Sequence, residues 1–248
     1  VDRPLLVSIA YSPWSLRARM ALDLAGVDYQ KQEYIPGVSE PGLRWKLGRW
    51  SGPVTVPVLF TADGPITDSF DIAQWASDRS GGTLVPAGEV ERVRRVNEHT
   101  ERVLEAGRLR TSRLVLENPA ALRESLPGPI RALGPVGLAI GRMSVNNLLT
   151  KYARPGLSDN EGCLRQMGEA LAALKAELGD GPTVLDRLSY ADLTGVAALT
   201  FVSPHPKAPL GDVVRPLWSA PELAAAHPEL VAWRDRVYAT WSAALKRG

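Results

Sequence analysis

The chain has 248 residues, 45% of them apolar and 23% charged, with a net charge of +2. This composition suits one large globular domain or two ordinary ones and excludes wholesale disorder. The near-balanced charge gives no reason to expect nucleic acid or an acidic membrane surface as partner. The single cysteine, Cys163, excludes an internal disulfide and a cysteine-based zinc site, and fits a reducing, cytoplasmic setting. No cationic start followed by a long apolar run marks a signal peptide. The most apolar run, Pro135 to Ile140, is flanked by Arg131 and Arg142 and falls short of the ~18 residues a membrane-spanning helix needs.

Leu5 to Ala10 reads as a short buried strand. Tyr11-Ser12-Pro13-Trp14 turns the chain into a helix with Leu16, Met20, Ala21, Leu24 and Ala25 at helical spacing. Pro13 suits its first turn and Gly26 its end. Val27 to Tyr34 reads as a second strand, parallel to the first because a helix joins them. An irregular stretch rich in Gly and Pro follows. Val56 to Phe60 is a strand, Ala62-Asp63-Gly64 a hairpin-type turn, and Ile66-Thr67 a short return strand. Asp68-Ser69 then caps a helix carrying Phe70, Ile72, Ala73, Trp75 and Ala76.

Ser80 to Pro86 has the composition of a linker. The predicted organisation is a first domain over 1–81, a linker over 82–88 and a second domain over 89–248. In the second domain helices are predicted over Val90 to Leu116, Gly128 to Tyr152 with a start disturbed by Gly and Pro, Asn160 to Leu178, Ser189 to Phe201 and Pro228 to Lys246. No strand pattern appears there. The fold class is therefore α/β plus all-α, and the order β-α-β-(irregular or helical)-β-β-α is that of a thioredoxin-like domain.

Four motifs in this order resemble those of the cytosolic glutathione S-transferase family, serine-type and bacterial-like. Ser12-Pro13-Trp14-Ser15-Leu16-Arg17-Ala18-Arg19 is similar to the serine-type S-P-F-x-x-(R/K)-(V/K)-(R/K) motif. Thr55-Val56-Pro57-Val58-Leu59 is similar to the strand whose proline is cis. Thr67-Asp68-Ser69 is similar to the (E/D)-S pair before a helix. Leu188-Ser189-Tyr190-Ala191-Asp192-Leu193 is similar to the S-x-A-D box of the core helix. The resemblance covers almost the whole chain.

The resemblance implies glutathione as co-substrate, an electrophilic small molecule as second substrate, and a homodimer. Ser12 would donate a hydrogen bond to the glutathione sulfur, beside the N-terminal dipole of its helix. Lowering a thiol pKa from about 8.5 by ~2 units needs roughly 2.7 kcal/mol of preferential anion stabilisation. Otherwise Ser12 is simply an N-cap. Tyr11 competes for the role. With Ser12 and Ser15 where redox relatives carry a C-x-x-C pair, dithiol reduction by this motif is excluded. Trp14 packs beside glutathione or fills space. Arg17 and Arg19 face outward, or Arg17 approaches the ligand or the domain interface. The resemblance gives the main chain of Val56, before Pro57, the cysteinyl part of glutathione. It gives Ser69 the γ-glutamyl carboxylate and Asp68 the glutamyl amine. Lys46 and Arg49 are candidates for the glycyl carboxylate or ordinary surface cations. Arg110 and Arg113 are candidates for the electrophile pocket.

Ser189 and Asp192 form a predicted reciprocal capping box, with Leu188 and Leu193 as a staple. His99, His205 and His227 lack metal-ligand spacing, and Cys163 reads as a packed small residue. The function this sequence implies is a glutathione-dependent transferase. The alternatives are a lyase or isomerase using the same thiolate, and a catalytically silent interaction protein.

Overall fold

A computed structural model describes residues 3–246. Two compact units divide the chain. The first holds the residues up to Asn97, Thr183–Ala197 and the residues from Arg236 on; the second holds Glu98–Pro182 and Ala198–Asp235.

In the first unit the order is β1 (Leu5–Ser8), α1 (Pro13–Leu24), β2 (Gln30–Glu33), α2 (Glu40–Leu47), β3 (Val58–Thr61), β4 (Gly64–Ile66) and α3 (Ser69–Arg79). The sheet order is β2-β1-β3-β4, with β2 parallel to β1 and β3 antiparallel to both β1 and β4. This is the thioredoxin-like arrangement. The central strands are buried on both faces, which is why they read as unbroken apolar runs rather than alternating ones. Leu6 and Leu59 pack on one face against Ala18 and Leu22 of α1 and Ile72 and Ala76 of α3. Val7 and Val58 pack on the other against Tyr34 and Leu43. Each large side chain buried this way contributes roughly 1.5–3 kcal/mol.

The edges differ. All four residues of β2 are exposed, so its apolar flanks, Val27 and Tyr29 before it and Tyr34 after it, lie outside the paired segment. The strand is shorter than the 27–34 span predicted. β4 carries Pro65 opposite Phe60.

The stretch read as irregular or helical contains α2, closed by Gly48 in the left-handed region at φ 61°. Its short length and its Pro and Gly hid it from periodicity.

Beyond Arg79 the described residues form helices and turns without strands: α4 (Val90–Glu117), α5 (Pro119–Ser125), α6 (Gly128–Arg131), α7 (Pro135–Lys151), α8 (Asn160–Leu178), α9 (Tyr190–Ala198), α10 (Pro221–Ala226) and α11 (Pro228–Leu245). The stretch 128–152, predicted as helical with a start disturbed by Gly and Pro, is two helices: α6 ends at Arg131, and Gly134, at φ 58°, precedes α7. α5 escaped the sequence reading; Asn118 caps it by accepting the N–H groups of Ala120 and Ala121, both at 3.1 Å. In the second unit α8 buries Cys163, Met167, Ala170, Leu171, Leu174 and Leu178, the amphipathic stripe the sequence displays. Phe201 stacks on Trp218 there, with centroids 4.5 Å apart. Among the described residues no helix is long and apolar enough to cross a membrane.

Candidate functional site

The sheet register brings three distant segments to one end of the first unit. β1 runs antiparallel to β3 with Val7 opposite Val58. Tyr11 and Ser12, which follow β1, and Val56 and Pro57, which precede β3, therefore leave the sheet at the same end. β3 pairs with β4 with Leu59 opposite Ile66. Thr67, Asp68 and Ser69, which follow β4, join them there. All six site candidates from the sequence, Ser12, Trp14, Val56, Pro57, Asp68 and Ser69, belong to these segments.

Ser12 is the N-cap of α1, with extended backbone (φ −71°, ψ 127°). Its Oγ accepts from the Ser15 N–H over a long 3.5 Å, which holds that oxygen weakly and leaves the hydroxyl proton to donate elsewhere. The loop leading to it is held firmly. The Ile9 N–H donates to the buried Ser15 Oγ at 3.1 Å, and the Ser12 N–H to the Ile9 carbonyl at 3.2 Å. The neighbouring Tyr11 is 42% exposed. Desolvation around its hydroxyl and the nearby Glu33 carboxylate raise its pKa, so the phenol stays protonated. Trp14 is half-buried on the first turn of α1.

At α3, Asp68 is the N-cap. Its Oδ1 accepts the N–H of Phe70 at 2.7 Å and of Asp71 at 3.4 Å. This cap leaves over the N–H of Ser69, at the positive end of the helix. Burial and the like charge of Asp68 push the Asp71 carboxyl up, against the pull of Arg94. Ser69 is buried, and its Oγ accepts from Nε of Arg17 at 2.9 Å. With that lone pair engaged, the Ser69 hydroxyl can still donate its proton.

Arg17 does not face outward as the simplest sequence reading expected. It is 1% exposed. Its Nη1 donates to Asn97 Oδ1 at 3.1 Å and Thr194 Oγ1 at 2.8 Å, and its guanidinium lies 6.0 Å from the centre of the Tyr190 ring. A signal for this exists in the sequence. Arg17 follows Leu16 and precedes Ala18, Met20 and Ala21 in a helix most of whose residues are buried, so a central residue of it has little solvent to face. Arg19, also read as outward, instead donates to the carbonyls of Ile9 and Ala10 at 3.1 and 2.7 Å.

The Val56–Pro57 peptide is cis. Among the described residues the Val56 main chain takes no part in the sheet ladder or in the loop hydrogen bonds. Near α2 the cations are surface groups. Lys46 Nζ donates to Gln32 Oε1 at 2.7 Å, and both Lys46 and Arg49 are exposed. Arg44 is spent on Glu40 and on the carbonyls of Arg49 and Gly52. Trp45 and Trp50 are 71% and 70% exposed.

In the second unit, Arg110 donates to the Ser219 carbonyl at 2.9 Å. Arg113 donates to the Leu157 carbonyl and lies 3.3 Å from the buried Cys163 Sγ. Arg113 also lines a cleft of about 540 Å³ with Leu149, Thr150 and Arg154. A second cleft, of about 390 Å³, lies at the far end of the sheet from Ser12, between Pro4, Val27, Thr61 and Trp75. Among the described residues no group of His, Cys, Asp and Glu could hold a metal ion.

The family model of the glutathione S-transferase N-terminal domain matches residues 11–79, and that of the C-terminal domain matches residues 151–240. The chain belongs to the glutathione S-transferase family. Solved structures with the same fold include a glutathione transferase of Phanerochaete chrysosporium (17% identity, TM-score 0.64, covering 98% of both chains). They also include a glutathione S-transferase of Methylobacterium radiotolerans in complex with glutathione sulfonate (20% identity, TM-score 0.56, covering 95% of this chain and 90% of that one). A maleylacetoacetate isomerase of Anaeromyxobacter dehalogenans with bound glutathione is similar too (20% identity, TM-score 0.53, covering 98% and 94%). A search of curated proteins gave no match.

Proposed function

We propose that this protein is a serine-type glutathione transferase that binds glutathione at the end of its sheet, stabilises the thiolate and directs it at an electrophilic small molecule. The observation that carries this reading is the α3 N-terminus. Ser69 offers a hydroxyl proton and an N–H left over by the Asp68 cap, with the buried Arg17 cation behind it. That set suits a carboxylate, here the γ-glutamyl carboxylate. Asp68 takes the glutamyl amine, the main chain of Val56 pairs with the cysteinyl unit as an added strand would, and Trp14 flanks the tripeptide. Ser12, at the N-terminus of α1, donates its hydroxyl proton to the sulfur.

The thiol proton leaves to solvent, and the thiolate lone pair forms the new bond to carbon. With an activated aryl chloride the C–S bond forms and the C–Cl bond breaks, releasing chloride.

Glutathione at one hundred times its Kd adds about 2.7 kcal/mol of stability. Millimolar glutathione is therefore expected to raise the melting temperature by several degrees, and an unchanged melt would sink the reading. Ser12→Ala is expected to keep that shift but lose roughly tenfold or more in kcat, since one hydrogen bond to a charged group is worth about 1.5–3 kcal/mol.

A further inference from the structure

We propose that Arg19 and Glu33 are positioning residues that clamp the β1–α1 loop and so aim the Ser12 hydroxyl; this rests on the reading of Ser12 as the thiolate's partner. Two peptide units, Ile9 and Ala10, carry the chain from the end of β1 towards Ser12. All four of their main-chain polar groups are held by side chains or by the loop itself. The Ile9 N–H goes to Ser15 Oγ at 3.1 Å. The Ile9 carbonyl accepts from Arg19 Nη1 at 3.1 Å and from the Ser12 N–H at 3.2 Å. The Ala10 N–H goes to Glu33 Oε1 at 2.9 Å, and the Ala10 carbonyl accepts from Arg19 Nη2 at 2.7 Å.

One guanidinium fork thus spans two successive carbonyls, a geometry that a lysine ammonium does not reproduce. Arg19 comes from α1 and Glu33 from β2, so the loop is tied to two different elements at once. With the main-chain groups of Ile9 and Ala10 engaged and the Ser12 N–H bound to the Ile9 carbonyl, the loop limits how far its serine can turn, and a preset donor costs no reorganisation when charge develops on sulfur.

Arg19 is not itself aimed at the sulfur. Asp23, Glu33, Tyr29 and Tyr238 surround its guanidinium, and Asp23 is in turn held by the Tyr29 hydroxyl and by Trp241 Nε1, both at 2.9 Å. Burial works against its charge and these groups partly offset that; the guanidinium donates to the two loop carbonyls, a geometric task. Glu33 also faces Tyr11.

The test is the pH profile of kcat at saturating glutathione, with dinitrochlorobenzene as electrophile, beside the Kd of glutathione by calorimetry. Glu33 is exposed, so Glu33→Ala leaves the core intact. It is expected to move the midpoint of the rising limb up by about one pH unit and to lower the plateau several-fold, with Kd changed by less than about threefold. Glu33→Gln, whose amide oxygen still accepts the Ala10 N–H, restores the parental midpoint. Arg19→Gln shifts it as Glu33→Ala does, and Arg19→Lys does not rescue it. Parental midpoints in Glu33→Ala and Arg19→Gln, while Ser12→Ala raises its own, would overturn the clamp and leave the Ser12 reading standing. An unmoved midpoint in Ser12→Ala would overturn both.

Discussion

Arg17 is a buried guanidinium that donates to Ser69, Asn97 and Thr194. A cation held this way raises the positive potential behind the α3 N-terminus and fixes which way the Ser69 hydroxyl donates. Arg17→Met keeps the volume of the stem and deletes both effects. We expect the Kd for glutathione to rise about tenfold, ~1.4 kcal/mol, together with a lower melting temperature. Calorimetry on the folded variant checks the first; an unchanged Kd would reduce Arg17 to a packing role. Ser12, Val56 and Ser69, the residues of the proposed glutathione site, were singled out from sequence because each sits in a local motif. The Arg17–Ser69 contact was not, because 52 positions separate the partners and no local pattern encodes it.

Among the elements, α9 shows how a motif can be read correctly and its mechanism misread. The sequence predicts a reciprocal box between Ser189 and Asp192. In the fold the carboxylate does the capping. Asp192 accepts the Ser189 N–H at 2.8 Å, the Ser189 hydroxyl at 2.9 Å and the Val184 N–H at 2.8 Å. The Asp192 N–H goes to the Ser189 carbonyl at 3.0 Å instead of the hydroxyl. Burial pushes the Asp192 carboxyl up, and these hydrogen bonds pull it back. Asp192→Ala strands two buried N–H groups at about 1–3 kcal/mol each. We expect at least ~2 kcal/mol of lost stability in urea, more than an ordinary capping deletion; a loss below ~1 kcal/mol would contradict the arrangement. Long periodic helices such as α8 announce themselves from sequence alone. The short α2 and α5 do not, because tertiary contacts and caps rather than periodicity hold them.

At the scale of the molecule, one pH dependence is expected from the segment 203–214 of the second unit. Arg215 gathers the carbonyls of His205, Pro206, Ala208 and Leu210 at 2.7–3.4 Å. His205 lies inside that turn, its Nδ1 accepting the Lys207 N–H at 3.2 Å. Burial first, then the cations Arg234, Lys207 and Arg215, hold its pKa below the ordinary value of 6.5, with Asp235 opposing them. The neutral imidazole is therefore the folded form. Its contribution is complete above about pH 6.5 and is lost as pH falls through the depressed folded value, with a slope of at most about 1.4 kcal/mol per pH unit. The urea midpoint of the parent should drop between pH 7 and pH 5, and His205→Gln should flatten part of that drop; identical profiles would remove His205 from the account. The sequence showed this histidine only as lacking metal-ligand spacing, since the cations that depress it converge through a turn with no periodic signature. The fold class, by contrast, was legible from the order of elements and four motifs, because strand length, helix period and cap chemistry are local properties.

The sheet's outer strands carry a consequence for the protein in crowded solution. A strand at the edge of a sheet, with unpaired amides along one side, invites another chain to add to it. Here β2 presents Gln30, Lys31, Gln32 and Glu33 to solvent, and Pro65 interrupts the donors of β4. Both borders are thereby poor templates for intermolecular pairing. Glu33 thus answers to two demands at once, keeping neighbouring molecules apart along the strand while holding Ala10 in place, and an apolar replacement at this position would fail at both.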